Sequence, residues 1–475
     1  MENPAADQNL RSELKVVDAA AFSVGLIGPV GAIGLLGTGA AAIIGRGVTL
    51  SFVFASVGVA LVAYCFIKLS QYVSHTGSVY ALVGVTLGPR AGFFAGWALM
   101  GGYIGIGCGS TIEIGLFANQ FLHGTGILTT SQWWWIALIG LLGVCSLAFT
   151  EIRIITRTLL TSEVLGAVLV TILSLVILVR LVFSHGPSGQ TFNAHFLELP
   201  QGGGVGTIAH AAVYGFLAFA GFEGAAALGE ETANPKKEIP RAIKTAVIVV
   251  GAFYLLTAAA QSLGYGTNAA GVAAYTNGLP FTDLGRDYLG SIYADVLNLM
   301  ATISLFAISL GVASGAARIM FAQARDATGS KSGLAGLSKH GAPAAALVVV
   351  LIIIGVDLIG QQLAGTTVVH ATFYALQVGT VLLLVAYVLA TVGAIRFLFF
   401  KGAPKAPRWQ VVIPALGGAF VLYTIYDNVF AFQEGTFAHL PYIEAVYLII
   451  GLVVVMVAPG LAGRVRVGLA ATSEA

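Results

Sequence analysis

Charge is the property this sequence has least of. Only 9% of its 475 residues are Asp, Glu, Lys or Arg, whereas a typical soluble domain has about 25%. A chain with so few charges cannot cover a surface that faces water, so a soluble protein is excluded. The 23 basic and 21 acidic residues nearly balance and form no basic patch of domain size, so nucleic acid is not an expected partner.

Cysteine and the motifs of enzymes are also scarce. The three cysteines, Cys65, Cys108 and Cys145, lie inside apolar runs, which indicates small packing residues rather than a disulfide framework. The sequence has no GxxxxGK[ST] phosphate loop, no cluster of metal-ligand residues and no paired catalytic groups. We therefore expect no catalytic residue, metal or cofactor, and we disfavour an enzyme or an ATP-driven pump.

Long apolar segments are what the sequence does contain. Hydrophobic residues make up 57% of the chain, and the mean hydropathy is +0.90. Because a helix needs about 20 apolar residues to cross the hydrocarbon core, this pattern predicts an all-α integral membrane protein with about 12 transmembrane helices. The predicted segments are 19–44, 48–69, 92–118, 133–150, 163–184, 207–229, 245–265, 293–321, 343–363, 367–395, 409–428 and 441–460.

The basic residues indicate how these segments are oriented. If the N-terminus is cytoplasmic, only Arg46, Arg180 and Arg286 of the 23 Lys and Arg fall on the outer side. Basic residues favour cytoplasmic loops, so both termini are expected in the cytoplasm. The compact loops favour the plasma membrane of a prokaryote. The prolines of the most charged inner loop, 230–244, are expected to prevent a continuous helix across it.

Two of the apolar segments are interrupted by glycine and proline. The first reads AFSVGLIGPVGAIGLLG, and in it Pro29 removes a backbone donor while Gly28 and Gly31 lower the cost of leaving helical geometry. The sixth reads AAVYGFLAFAGFEGAAALG, with Glu223 beside Gly221. Unwound backbone at membrane depth is tolerated only where protein, water or a solute satisfies it. The alternative is that these glycines serve close helix packing.

The positions of the two interrupted segments match if segments one to five and six to ten are repeats. An odd number of crossings in each repeat makes the two repeats inverted. Paired breaks in inverted repeats indicate a transporter binding site, where half-helix N-termini hold an anionic group and freed carbonyls hold a cation. The predicted organisation is a cytoplasmic segment 1–18, a transporter core 19–395, two further helices within 396–460 and a cytoplasmic tail 461–475.

Four stretches of the sequence resemble a known family. They are HTGSVYALVGVTLGPRAGFFAGWALMGGY (75–103), FLAFAGFEGAAALGEETANPKKEIPRAI (216–243), SGAARIMFAQARDATG (314–329) and, more weakly, LKVVDAAAFSVGLIG (14–28). With these stretches the chain resembles the amino acid–polyamine–organocation (APC) family of permeases over most of its length. The resemblance implies two inverted five-helix repeats followed by helices 11 and 12, and alternating access for amino acids or related amines.

The resemblance also implies where a substrate binds. Its carboxylate would meet the unwound backbone of the first break, and its ammonium would meet carbonyls of the second break, with specificity from helices 3, 6, 8 and 10. The first break departs from the family's common Gly-Ser-Gly run, which leaves the carboxylate donors open. The implied substrate-binding residues are Ile27, Gly28, Pro29, Val30, Gly31, Tyr103, Phe219, Ala220, Gly221 and Phe222.

Three carboxylates fall inside apolar segments, where a charge is costly and indicates function. Glu163 stands near a place where proton-coupled members of the family often have lysine; it either titrates during transport, pairs with a cation or lies at the cytoplasmic interface. Glu223 either binds substrate, relays a proton or braces the second break. Glu113 either contacts a cationic substrate or makes a polar contact to another helix in the outer half.

The remaining candidates concern gating and the coupling ion. Tyr103 and Phe222 are candidate gating aromatics, although most membrane aromatics serve packing. Ser309 and Ser314 are candidate sodium ligands, or they bond to their own helix backbone. We therefore favour a secondary active transporter that is proton-coupled or an exchanger. A sodium-coupled symporter and a passive facilitator or channel remain alternatives, although no repeated filter motif is present. The expected partners are a small-molecule substrate and the lipid bilayer, and the oligomeric state is left open.

Overall fold

A computed structural model describes most of the chain. The described residues are 16–72, 78–129, 132–149, 152–200, 202–228, 232, 234–328, 333–335, 343–431, 435–458 and 460–465. Most of the predicted N-terminal segment and most of the predicted tail lie outside the described residues.

A helix lies at each predicted membrane segment, and α1 is divided into two halves. The helices are α1a (Val16–Ile27), α1b (Pro29–Ile44), α2 (Val48–Leu69), α3 (Pro89–Gly124), α4 (Trp133–Ala148), α5 (Ile152–Val182), α6 (Val205–Ala218), α7 (Pro235–Tyr265), α8 (Ser291–Thr328), α9 (Ala344–Leu363), α10 (Val368–Ile395), α11 (Val412–Tyr426) and α12 (Leu440–Val457). Shorter helices precede α3 (Ser78–Leu87) and follow α7 (Ala269–Asn277 and Pro280–Leu289).

The lengths of these helices suit a membrane. Within the described ranges, nine helical spans are long and apolar enough to cross a bilayer, and α4 and α6 are shorter apolar helices. One of the nine, Ser23–Leu69, has 47 residues, about twice the roughly 20 that one crossing requires. It contains the end of α1a together with α1b and α2. The predicted all-helical membrane architecture is confirmed, while the count of twelve crossings and the inverted repeat stay predictions.

Two helices begin earlier than the sequence predicted. The expectation that prolines prevent a continuous helix across 230–244 is wrong for Pro240, because α7 begins at Pro235 and continues through Pro240. The described residues before Pro235, Thr232 and Asn234, are not helical. Pro235 occupies the first helical turn, where a missing N–H has no cost, and Pro240 removes only one helical hydrogen bond. Helix α5 begins at Ile152, so Glu163 lies about 17 Å along it rather than at its start.

Helix α3 lies at the centre of the molecule, in contact with α8 and α10 along much of its length. A Cβ placed on Gly105 would lie 2.6 Å from the Cα of Gly379 in α10, so only glycines allow the two backbones to approach this closely. By contrast, α11 and α12 lie at the periphery, since only 22% of the most apolar window of each is buried, against 72% in α3. Side chains on α3 therefore face the interior.

Candidate functional site

The break in α1 is a single residue, Gly28. Its backbone is left-handed (φ 56°, ψ 57°), and Pro29 begins α1b immediately after it. A Cβ at Gly28 would overlap the side chain of Ile308 in α8, so both the conformation and the space require glycine. The break is shorter than the glycine-rich run of the sequence suggested, because Val30 and Gly31 are already helical.

The first N–H groups of α1b bond to side chains of other helices. The N–H of Val30 donates to Oε1 of Glu163 on α5 at 2.8 Å, and the N–H of Gly31 donates to Oγ of Ser304 on α8 at 2.9 Å. Glu163 is only 2% exposed. A carboxylate is stabilised at this place because a helix N-terminus carries partial positive charge.

The same arrangement leaves carbonyl groups of α1a without their helical partners. Pro29 has no N–H, and Val30 and Gly31 donate to side chains, so the carbonyls of Gly25, Leu26 and Ile27 lose the donor four residues ahead. These carbonyls are acceptors at the C-terminal end of α1a, where the partial charge is negative. The first break therefore offers acceptors, while its donors are occupied.

The second break is longer. Helix α6 ends at Ala218, and a 3₁₀ helix follows over Phe222–Leu228. Gly221 between them has a positive φ of 100°, and a Cβ there would lie 3.1 Å from the carbonyl carbon of Leu26. The two breaks are therefore in direct contact, and glycine permits this approach.

Most carbonyls of the second break accept hydrogen bonds from nearby groups. The carbonyl of Phe219 accepts from the N–H of Phe222, and that of Gly221 accepts from the N–H of Gly224. The carbonyl of Ala220 has no hydrogen-bond donor within the described part of the chain.

Ser23 joins α1a to the second break. Its hydroxyl donates to the carbonyl of Phe222 at 3.2 Å and accepts from the N–H of Ala225 at 2.9 Å. One side chain therefore satisfies two backbone groups of the 3₁₀ helix, so α1a and this helix are held together.

Glu223 connects the second break to α3 and α10. Its Oε1 accepts from the hydroxyl of Tyr103 at 2.8 Å, and its Oε2 accepts from the hydroxyl of Tyr387 at 2.7 Å. The residue is fully buried. The ring of Phe222 lies edge-on to that of Phe66, with centroids 5.4 Å apart, and 5.3 Å from that of Tyr387. We call Glu223, Tyr103 and Tyr387 the carboxylate clasp.

A small cavity lies between the two breaks. Its volume is about 30 Å³, which is room for about one or two water molecules. Four residues predicted from the sequence meet in its wall: Ile27, Tyr103, Glu113 and Ala220. The predicted residues that border the breaks without lining the cavity are Gly28, Pro29, Val30, Gly31, Phe219, Gly221, Phe222, Glu163 and Glu223.

Ser309, one of the two serines predicted on α8, lies away from the first break. Ser309 is within 2.7 Å of the hydroxyl of Thr111 on α3, and Ser304 is the serine that reaches the first break. Five residues of an α-helix correspond to a rotation of about 500°, so Ser304 and Ser309 face different neighbours.

Sequence reasoning missed Ser304, Ser23 and Tyr387. A signal existed for Tyr387 alone, since a tyrosine within a long apolar segment requires a partner for its hydroxyl. Serine in a helix commonly bonds to its own backbone, so the two serines carried no such signal.

Comparison with known proteins identifies the family. The amino acid permease family matches residues 20–459 of the chain. The branched-chain amino acid permease BcaP of Bacillus subtilis is 26% identical over 68% of this chain and 69% of its own length. The protein of the same name from Lactococcus lactis is 26% identical over 87% of this chain and 88% of its own length. The human cationic amino acid transporter 4 is 25% identical over 55% of this chain and 42% of its own length. The resemblance found in the sequence is thus confirmed, and the chain belongs to the amino acid permease family.

Proposed function

We propose that the protein is a secondary active transporter that moves an amino acid or related amine across the plasma membrane by alternating access. The observation that carries this proposal is the contact between two helix breaks at one cavity. Relatives named for branched-chain and for cationic amino acids support the amino acid class without choosing between side chains. The distribution of basic residues favours cytoplasmic termini.

The chemistry of the two breaks suits a zwitterion. No described residue donates to the carbonyls of Leu26, Ile27 and Ala220, so they are available as acceptors for the substrate ammonium. The N-terminus of α1b suits the substrate carboxylate because the helix dipole favours an anion there. That position is occupied by Glu163, whose Oε1 accepts from the N–H of Val30. The substrate carboxylate and Glu163 therefore compete for one donor.

This competition supplies a mechanism for proton coupling. When the substrate carboxylate takes the N–H of Val30, Glu163 is left in buried surroundings without that partner. Its remaining partner is the hydroxyl of Ser304. A buried carboxylate with so few donors is disfavoured and is relieved by taking up a proton. One proton would then enter with each substrate molecule. We favour a proton over sodium because the hydroxyl of Ser309, a candidate sodium ligand, is engaged with Thr111.

The carboxylate clasp suits a gate. Glu223 lies beyond the second break, and its two oxygens hold α3 and α10 to the 3₁₀ helix. Separating these helices breaks two hydrogen bonds to a buried carboxylate. We propose that the clasp keeps the cavity closed on the cytoplasmic side and opens when substrate is released.

Uptake into proteoliposomes tests the proposed function. The purified full-length protein should accumulate at least one member of a panel of labelled amino acids and amines when an inward proton gradient is imposed. A sodium gradient alone should not drive accumulation. Failure of both gradients, together with no counterflow for any compound, would contradict secondary transport.

The variant Glu163→Gln tests the coupling residue. The amide oxygen can still accept from Val30, but the side chain can no longer take up a proton. We expect counterflow to persist while proton-driven accumulation is lost. Glu444→Gln is the matched control, because Glu444 is a buried carboxylate of α12 that does not line the cavity. An unchanged pH dependence in Glu163→Gln would rule out its coupling role.

A further inference from the structure

The cavity between the breaks contains a buried carboxylate oxygen that has no hydrogen-bond partner in the described part of the chain. Glu113 on α3 is 2% exposed, lines the cavity, and its Oε1 has no partner among the residues the structure describes. The other two carboxylates near the breaks are engaged, Glu163 with the N–H of Val30 and Glu223 with two tyrosines. Glu113 differs from both because no described residue is seen to donate to it, whereas Glu163 leaves only its Oε2 without a partner.

The rest of the cavity wall cannot satisfy Glu113. The lining includes no Lys, Arg or His, and most of it is Leu, Ile, Val and Ala. Its two hydroxyl groups are used elsewhere, since Ser110 donates to the carbonyl of Gly107 and Tyr103 donates to Glu223. A carboxylate in such surroundings is costly unless a positive group pairs with it.

The lining residues of α3 form one stripe. Tyr103, Ile106, Ser110 and Glu113 follow the three- and four-residue spacing of a single helix face. The Cα atoms of Tyr103 and Glu113 lie about 15 Å apart along the helix axis. Helical side chains lean toward the helix N-terminus, so the distance that a ligand must bridge to the Glu113 carboxylate is shorter. An elongated ligand that follows this stripe would therefore place one end at the helix breaks and the other end at Glu113.

The polar groups of the site that remain unpaired are acceptors. The carbonyls of Leu26 and Ile27 lose their helical donors, the carbonyl of Ala220 has no described donor, and Glu113 adds a carboxylate. A ligand must therefore supply donors and positive charge at both ends, with an apolar chain between them.

Resting on the transport function proposed above, we infer that Glu113 is a specificity-determining residue. The preferred substrate is an amino acid or amine with an alkyl chain that ends in a second cationic group, either an ammonium or a guanidinium. The primary ammonium binds at the breaks, the alkyl chain lies against the apolar wall, and the terminal cation pairs with Glu113. The cavity is too small for this substrate in the present conformation, so the walls separate on binding.

Lysine and norleucine provide the sharpest test, because norleucine lacks the terminal ammonium. Counterflow of each is measured in proteoliposomes containing the full-length protein. We expect the wild type to prefer lysine by more than about tenfold in kcat/KM, since a site that pairs with a polar group rejects the analogue lacking it. Glu113→Gln should reduce this preference to about one. The control Glu444→Gln should keep it.

The possible results separate this inference from the proposed function. Transport of norleucine or leucine without a preference for lysine overturns the role of Glu113 and leaves amino acid transport standing. No transport of any amino acid or amine overturns the proposed function itself. An unchanged lysine preference in folded Glu113→Gln also overturns the inference. If that variant does not fold, the wild-type ratio of kcat/KM for lysine to that for norleucine decides. A ratio of one or less contradicts the inference.

Discussion

The two helix breaks satisfy their exposed backbone groups in opposite ways. At Gly28 the chain departs from the helix for one residue, and side chains of α5 and α8 bond to the donors that are exposed. At Phe219–Gly221 the break is longer, nearby groups satisfy most of the carbonyls, and Glu223 beyond it reaches out to α3 and α10. The first break receives a carboxylate, whereas the second supplies one. The first is therefore suited to exchanging its anionic partner, and the second is suited to holding helices together.

The largest expected effect concerns the geometry of the first break. Gly28→Ala would place a Cβ against Ile308 at a positive φ, which should destabilise the fold by roughly 2–4 kcal/mol. Gly25→Ala in α1a is the control, because no atom lies within 4 Å of its Cβ position. Thermal unfolding of the purified protein measures both. Equal stability of the two variants would show that the single-residue break is not required.

The next-largest expected loss of stability concerns the carboxylate clasp. Glu223→Gln keeps one acceptor oxygen for two tyrosine hydroxyls, so it should lower the free energy of unfolding by about 1–3 kcal/mol. Tyr387→Phe should cost a similar amount, and the double variant should cost less than the sum because both changes remove the same bond. Tyr288→Phe, whose hydroxyl bonds to the carbonyl of Gly264, should add to Glu223→Gln independently. Additivity with Tyr387→Phe would contradict the clasp.

A smaller effect is expected at the donors of the first break. Ser304→Ala removes the acceptor of the Gly31 N–H and should cost about 1 kcal/mol. The loss is limited because that N–H can return to the carbonyl of Ile27. Ser146→Ala removes a hydroxyl that bonds only to its own helix and should have little effect on the unfolding midpoint. If both variants unfold alike, Ser304 does not hold the break.

The smallest expected change in stability concerns a group of exposed charges on the protein surface. Oε2 of Glu198 is 2.6 Å from Arg46 and Oε1 is 2.8 Å from His195. The hydrogen bond with His195, and then the charges of His195 and Arg46, lower the pKa of Glu198 below its ordinary value of 4.5. A lowered folded pKa adds stability above the unfolded value, and this stability is lost as the pH falls through the folded value. Glu198→Gln should therefore be slightly less stable than wild type at pH 7 and equal to it in acid. A difference that persists unchanged after Glu198 is protonated would contradict this pairing.

Sequence patterns predicted the helices well because hydropathy reports burial in a bilayer directly. They also placed both breaks, since Gly28 and Gly221 are local signals of backbone that leaves helical geometry. They did not reveal which groups satisfy the breaks. Val30 and Glu163 are 133 positions apart in the chain, and only the packing of α5 against α1 brings them together. The helix through Pro240 was mispredicted because a proline near a helix start loses a single bond.

Both breaks contribute walls to the proposed substrate cavity. Ala32 of α1b and Ala220 of the second break both line it, and each is 8% exposed. Ala32→Cys and Ala220→Cys, each in a Cys145→Ser background, allow labelling by a membrane-permeant thiol reagent. Cys65 and Cys108 are buried, and Cys145 of the wild-type protein serves as the control outside the cavity. We expect a transported substrate to slow labelling at both positions with the same half-maximal concentration and to leave Cys145 unaffected. Protection at one position alone, or at neither, would contradict it.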